Sequence, residues 1–438
     1  MVSTVAGEPR APGSEWTRLQ LSVVLICSII NALDGMDVLI VSFIAPSLAR
    51  DWSVSMEGLG IIFSAGLAGM MAGSMLLAPL ADIFGRRPMI LVGLILITVA
   101  MIASGLVATP VAFALTRVIA GLGIGTLLAS VAAMTSEFAP PDHRTFAIGI
   151  FQGGYPFGAV ATGFAAIWAI PHYGWQATLI AAGVISGLLL PVVFALLPES
   201  PDYLERRQPA NALPRLNRIR AQMRLAPFEC LPSIEAAARK VRFSRFFERG
   251  MWKPTLQLWT STFLGVGVLY FVLSWIPKLA VEAGLAPEDA LYAGTLLNLG
   301  GFAGSLTLGW MARRLPVGWL ICAFLTASTV FMIIFSLPGT SLPLALVLAM
   351  LIGFALQGGF SAFYSLSAML YPTAIRSSGI GWATGWGRFG AVFGPLIGGY
   401  LLSQGHSLLF VFLCYAVPLL ISGVLAGLVR RPARHHDG

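Results

Sequence analysis

Charge is what this sequence has least of: of 438 residues, 11% are Asp, Glu, Lys or Arg and 57% are hydrophobic. A soluble domain carries about 25% charged residues, so the chain cannot wrap a core in a hydrated surface, and its solvent is lipid. The five histidines fall in loops or the tail, which excludes a buried acid–base His. Of the four cysteines, Cys27, Cys322 and Cys414 lie in apolar segments and Cys230 in a basic stretch. No pair suggests a disulfide, and no Cys/His cluster has metal-ligand spacing. HExxH and GxxxxGK[ST] are absent as well, which argues against a membrane enzyme. No metal and no cofactor are expected.

Long apolar runs are abundant. A helical span needs about 20 mostly apolar residues. That window predicts twelve, near 19–48, 57–81, 88–108, 110–138, 145–170, 175–197, 254–280, 288–311, 317–338, 342–370, 379–403 and 407–429. The first run is too long for a cleavable signal segment and is expected to stay as the first span. The predicted organisation is a tail (1–18), a six-helix bundle (19–197), a basic central loop (198–253) with short amphipathic helices, a second bundle (254–429) and a tail (430–438).

The basic residues orient the spans. With the N-terminus cytoplasmic, 23 of the 27 Lys and Arg lie on the cytoplasmic side, only Arg50 and Lys278 lie outside, and Arg117 and Arg388 lie within spans. Both termini are therefore expected in the cytoplasm. The same distribution explains the net charge of +8 without nucleic acid.

The two halves repeat. A shift of 232 lays Arg144–Val160 on Arg376–Val392 with eight of seventeen positions identical, Arg144/Arg376, Gly153/Gly385, Phe157/Phe389 and Gly158/Gly390 among them. A shift of 231 sets Leu80-Ala81 opposite Met311-Ala312. Six-plus-six spans with a site at the midplane between them is a transporter layout.

After the second span the chain reads Ala78-Pro-Leu-Ala-Asp82-Ile-Phe-Gly85-Arg86-Arg87. This resembles the G-x-x-x-D-x-x-G-R-R/K signature of the major facilitator superfamily, with Ala78 replacing the first Gly. Asp82 is expected to cap the next helix and pair with Arg86 or Arg87. Glu137 and Arg376 complete this gate or latch. The first span carries Asp34-Gly35-Met36-Asp37, similar to the D-G-x-D of the aromatic acid:proton symporters. Arg117-x-x-x-Gly121-x-x-x-Gly125 and Gly381-Trp382-x-x-Gly385-x-Gly387-Arg388 add to the resemblance. It implies an all-α fold of twelve transmembrane helices in two pseudo-symmetric bundles, working as a monomer in the inner membrane. It also implies import of a benzoate- or hydroxybenzoate-like acid with protons. Carriage of another organic anion, and proton-driven export of aromatic compounds, remain alternatives.

Ionisable side chains inside a membrane are costly and mark function by default. Asp34 and Asp37 share one helix face, and by helical rise Asp34 lies about 24 Å from the start of the span. One of them is the predicted proton carrier, with Arg117 biasing it. Arg388, a planar two-pronged donor, is the predicted grip on the substrate carboxylate. The bland readings are a static Asp–Arg pair and an arginine that merely holds the halves together. Asn31, Tyr155, Trp275, Asn298, Gln357, Tyr364 and Trp386 are polar or aromatic candidates for the cavity wall, with packing or interface anchoring as their bland reading.

Overall fold

A computed structural model of the protein describes residues 16–231, 246, 248, 250–282, 284–337, 341–372 and 375–429, without the side chains of residues 145 and 376–378. Its helices are α1 (Arg18–Trp52), α2 (Met56–Ala72), α3 (Ala81–Phe84), α4 (Arg86–Leu106), α5 (Pro110–Phe138), α6 (Arg144–Leu196), α7 (Pro201–Arg207), α8 (Ala212–Gln222), α9 (Trp252–Glu282), α10 (Pro287–Met311), α11 (Val317–Phe335), α12 (Leu342–Leu370), α13 (Arg376–Ser403) and α14 (Leu408–Leu428). Among the described residues there is no strand.

Nine segments of the described residues are long and apolar enough to cross a membrane. One of these, Phe146–Leu196, is a hairpin of two crossings bent at Gly174, whose φ of 79° suits a residue without a Cβ. The next residue, Trp175, secures the bend: its indole N–H donates to Asp51 Oδ2 at 2.9 Å, and its ring meets Trp52 edge-on at 5.0 Å. The helices α10 and α13 are equally long but rich in glycine and less apolar. With them the crossings number twelve, in two pseudo-symmetric six-helix bundles.

Local chemistry sets the ends. Thr17 and Gln20 cap the start of α1 reciprocally, side chain to backbone in both directions. Pro110 and Pro287 occupy first-turn positions, where a missing N–H costs nothing. The second crossing departs from the continuous helix predicted over 57–81. It passes from α2 into a π-turn over Gly73–Leu77 and a 3-10 turn over Ala78–Leu80.

The bundle contacts follow the repeat. Within the first six crossings α1 packs on α6, and α2 and α4 pack on α5; in the second six, α9 packs on α13 and α10 on α12. Between the sets, α2 meets α13 and α6 meets α10. The offset of about 232 residues makes α2 the counterpart of α10, and the first half of α6 the counterpart of α13. These two contacts are thus one contact seen twice around a pseudo-two-fold axis. Close approach is built in: a Cβ on Gly158 would run into the backbone of Ala32, and one on Gly35 into the carbonyl of Tyr155.

Candidate functional site

A cavity of about 1280 Å³ lies between the bundles. Its wall comes from α1 (Leu25 to Asp34), the first half of α6, the middle of α9, and the halves of α12 and α13 nearest the face where α1 begins and α14 ends, with further residues from α2, α5 and α10. That proximal face carries Arg18 and Arg86. The opposite, distal end is packed shut. Phe63 meets Trp275 edge-on at 5.2 Å, the Ser64 hydroxyl donates to the Val392 carbonyl at 2.7 Å, and the Trp275 indole N–H donates to the Pro395 carbonyl at 3.1 Å.

The two aspartates of α1 have different surroundings. Asp37 lies outside the cavity wall and accepts from Arg117 Nη1 at 3.1 Å. Arg117 is only 2% exposed. It also donates to Ser104 Oγ at 2.5 Å and to the Ala100 carbonyl at 3.4 Å, and lies over the Phe113 ring at 5.5 Å. Asp34 lines the cavity, is 4% exposed, and its Oδ1 has no hydrogen-bond partner among the described residues. Arg388 lines the same cavity from the other bundle, within electrostatic reach of Asp34. One guanidinium N–H of Arg388 crosses the bundle interface to the Met70 carbonyl at 3.1 Å.

Of the other expected wall residues, Asn31, Tyr155, Gln357 and Tyr364 line the cavity. Asn31 is tied to the Phe151 carbonyl at 2.7 Å. The remaining three expected positions are corrected. Asn298 is buried behind Gln357, bonded to the Gly294 carbonyl at 2.9 Å and accepting from Gln357 at 3.4 Å, so it braces the wall rather than forming it. Trp386 sits outside the cavity wall on the exposed side of α13, near Trp259 and Phe389. Trp275 belongs to the distal closure described above.

The expected latch is also rearranged. Asp82 is exposed, and its backbone carbonyl, not its carboxylate, accepts from Arg207 at 2.7 Å. Arg86 pairs with Glu137, whose other oxygen accepts from the Ser200 hydroxyl at 2.5 Å. The start of α4 is capped by Glu199, which accepts from the backbone N–H of Arg86 at 2.9 Å, Arg87 at 3.1 Å and Ser200 at 2.9 Å. A carboxylate at a helix N-terminus is held by free N–H donors and the helix dipole. Gly85, at φ 106°, lies so close to Glu199 that a Cβ there would meet its carboxylate. Arg87 donates to the Phe194 carbonyl at 2.5 Å. The side chain of Arg376 lies outside the described residues.

Sequence reasoning missed Glu199 and Tyr270. The signal for Glu199 was the Pro198-Glu199-Ser200-Pro201 run, an acid placed just before a helix start. Tyr270 is a phenol in an apolar stretch of α9, and it lines the cavity.

The model of the Major Facilitator Superfamily matches residues 27–341. The chain belongs to the major facilitator superfamily. It is a membrane transporter and not an enzyme. Among solved members of similar fold, the D-xylose-proton symporter superposes with a TM-score of 0.74 at 16% identity, over 94% of this chain and 98% of that one. A bacterial homolog of the human lysosomal transporter Spinster, inward-facing and occupied, gives a TM-score of 0.75 at 15% identity, over 95% and 97%. By sequence, the chain is 34% identical to the gallate transporter of Pseudomonas putida over 408 residues, 91% of this chain and 89% of the relative. It is 31% identical to a 4-hydroxybenzoate transporter of Acinetobacter baylyi (96% and 93%) and 29% identical to the benzoate transport protein of the same organism (95% and 91%).

Proposed function

We propose that this transporter moves an aromatic carboxylate together with a proton, by alternating exposure of the cavity to the two faces of the membrane. The observation that carries the proposal is Asp34: a buried, unpartnered carboxylate on the cavity wall, with Arg388 held in the opposite bundle. Relatives named for gallate, 4-hydroxybenzoate and benzoate support the aromatic acid as cargo.

The chemistry is a balance of charge in a medium where net charge is expensive. A single unpaired ion at the membrane centre costs about 3 kcal/mol or more. When the cavity is empty, Asp34 and Arg388 offset each other, as Asp37 and Arg117 do. A substrate carboxylate that takes both prongs of Arg388 leaves Asp34 uncompensated. Protonation of Asp34 restores neutrality, and the loaded cavity can then be carried across. One proton accompanies one monocarboxylate.

The Arg388 bond to the Met70 carbonyl links α13 of one bundle to α2 of the other, so substrate binding at Arg388 acts on the contact that alternation must remake. The distribution of basic residues supports a cytoplasmic proximal face, both chain ends in the cytoplasm, and import down an inward proton gradient. The self-contained bundle pair supports action as a monomer.

Uptake of labelled 4-hydroxybenzoate and benzoate into proteoliposomes, with the outside made acid, tests the reading. Accumulation of either acid that collapses with the gradient is the expected result. Absence of uptake of any aromatic acid under every gradient overturns it.

A further inference from the structure

Nearly every polar side chain on the cavity wall already has a partner. The hydroxyls of Ser28, Thr262, Ser361 and Ser367 each donate to a carbonyl of their own helix, and that of Ser305 donates to the Gln357 carbonyl at 3.5 Å. The amide of Asn31 is bound to Phe151, and that of Gln357 to Asn298 and Leu297. Tyr364 and Thr384 share a side-chain hydrogen bond. Gln152 sits at an exposed position. Away from Asp34 and Arg388, two phenols remain: Tyr155 on α6 and Tyr270 on α9, neither with a hydrogen-bond partner among the described residues.

These phenols are not loosely placed. The ring of Tyr270 packs against the small buried cluster of Leu67, Val266 and Ala391, beside Phe360. The backbone of Tyr155 is pinned by the close approach of Gly35. Tyr155 and Tyr270 are electrostatic neighbours of each other and of Asp34, and Tyr270 is also a neighbour of Arg388. Two hydroxyls with no protein partner among the described residues therefore lie beside the groups assigned to the carboxylate and the proton, in a cavity whose other polar side chains are almost all engaged with one another or with the backbone.

We infer that Tyr155 and Tyr270 read hydroxyl groups on the substrate ring, so that the cargo is a phenolic acid in preference to unsubstituted benzoate. The inference rests on the aromatic-acid reading above. A phenol is both donor and acceptor, so each tyrosine can bond a ring hydroxyl in either sense. A site built to bond a substrate hydroxyl disfavours the analogue that lacks it, because its own polar groups are then left unpaired on burial.

The test is binding of benzoate, 3-hydroxybenzoate, 4-hydroxybenzoate and 3,4,5-trihydroxybenzoate to the purified full-length transporter by calorimetry, in wild type, Tyr155→Phe and Tyr270→Phe. The ring is kept in each variant, and an unaltered thermal unfolding midpoint certifies the fold. In wild type, at least one hydroxylated acid is expected to bind about tenfold or more tighter than benzoate. In one or both variants that ratio falls by about tenfold. Benzoate binding as tightly as every hydroxylated acid overturns the inference and leaves the aromatic-acid reading standing. So does a ratio that neither substitution moves. Failure of all four acids to bind overturns both.

Discussion

Arg117 holds Asp37 at 3.1 Å in a site walled by Ser104, Met101 and Phe113, while Asp34, one helical turn away on α1, meets the cavity with an oxygen unpaired. The two acids of one motif thus stand in different surroundings. Asp37 is half of a buried ion pair; Asp34, with an oxygen unpaired on the cavity wall, is the acid proposed to take up and release the proton.

That difference predicts separable phenotypes. Asp34→Asn keeps the shape of the wall but removes the exchangeable charge. Gradient-driven accumulation is expected to be lost, while exchange of labelled for unlabelled acid across proteoliposomes at equal pH persists. Loss of both activities in a folded variant contradicts the assignment.

At the ion pair the expectation is stability. Removing one partner of a buried pair leaves the other uncompensated, at a cost of about 3–5 kcal/mol. Arg117→Ala is expected to lower the thermal unfolding midpoint in detergent markedly. The double variant Asp37→Asn with Arg117→Gln removes both charges together and is expected to recover much of the loss. A double variant no better than the single one argues against pairing.

Glu199 caps α4 with bonds to three backbone N–H groups. Glu199→Ala is expected to cost about 1.5–3 kcal/mol and Glu199→Gln less, since the amide keeps an acceptor oxygen. Asp82→Ala, which leaves the backbone carbonyl in place, is expected to change the unfolding midpoint by less than either. Unfolding midpoints of the three variants rank these effects.

The distal closure depends on a glycine contact. A Cβ on Gly60 would stand 3.0 Å from the Pro395 carbonyl oxygen and 3.1 Å from Gly399 Cα. Gly60→Val is expected to wedge α2 from α13 and favour the state open at the distal face. Overpacking of this kind costs roughly 1–3 kcal/mol, enough to raise thiol labelling of Ser64→Cys about tenfold in a cysteine-free background. Unchanged labelling contradicts the closure described.

The twelve crossings and the internal repeat were legible in the sequence because lipid forces long apolar runs and duplication leaves a constant offset. The four charges deep within the spans, Asp34, Asp37, Arg117 and Arg388, were legible for the same reason: in hydrocarbon an ionisable residue stands out. What sequence could not supply was partnership. Asp34 and Asp37 look alike at a spacing of three, and only the packing of α5 against α1 separates them. The capping role expected of Asp82 belongs to Glu199, more than a hundred residues away, because the turn at Gly85 places the start of α4 beside the end of α6. Asn298 and Trp386 carry the same polar or aromatic character as true wall residues; helix rotation about the bundle axis, which composition does not encode, turns them elsewhere.

In the proposed coupling, Asp34 takes one proton for each carboxylate received at Arg388. This coupling is tested most directly in proteoliposomes given either a pH gradient at zero membrane potential or a potential at zero pH gradient. One-for-one movement carries no net charge, so the pH gradient alone should drive accumulation of 4-hydroxybenzoate and the potential alone should not. Accumulation driven by an inside-negative potential in the absence of a pH gradient would contradict the claim.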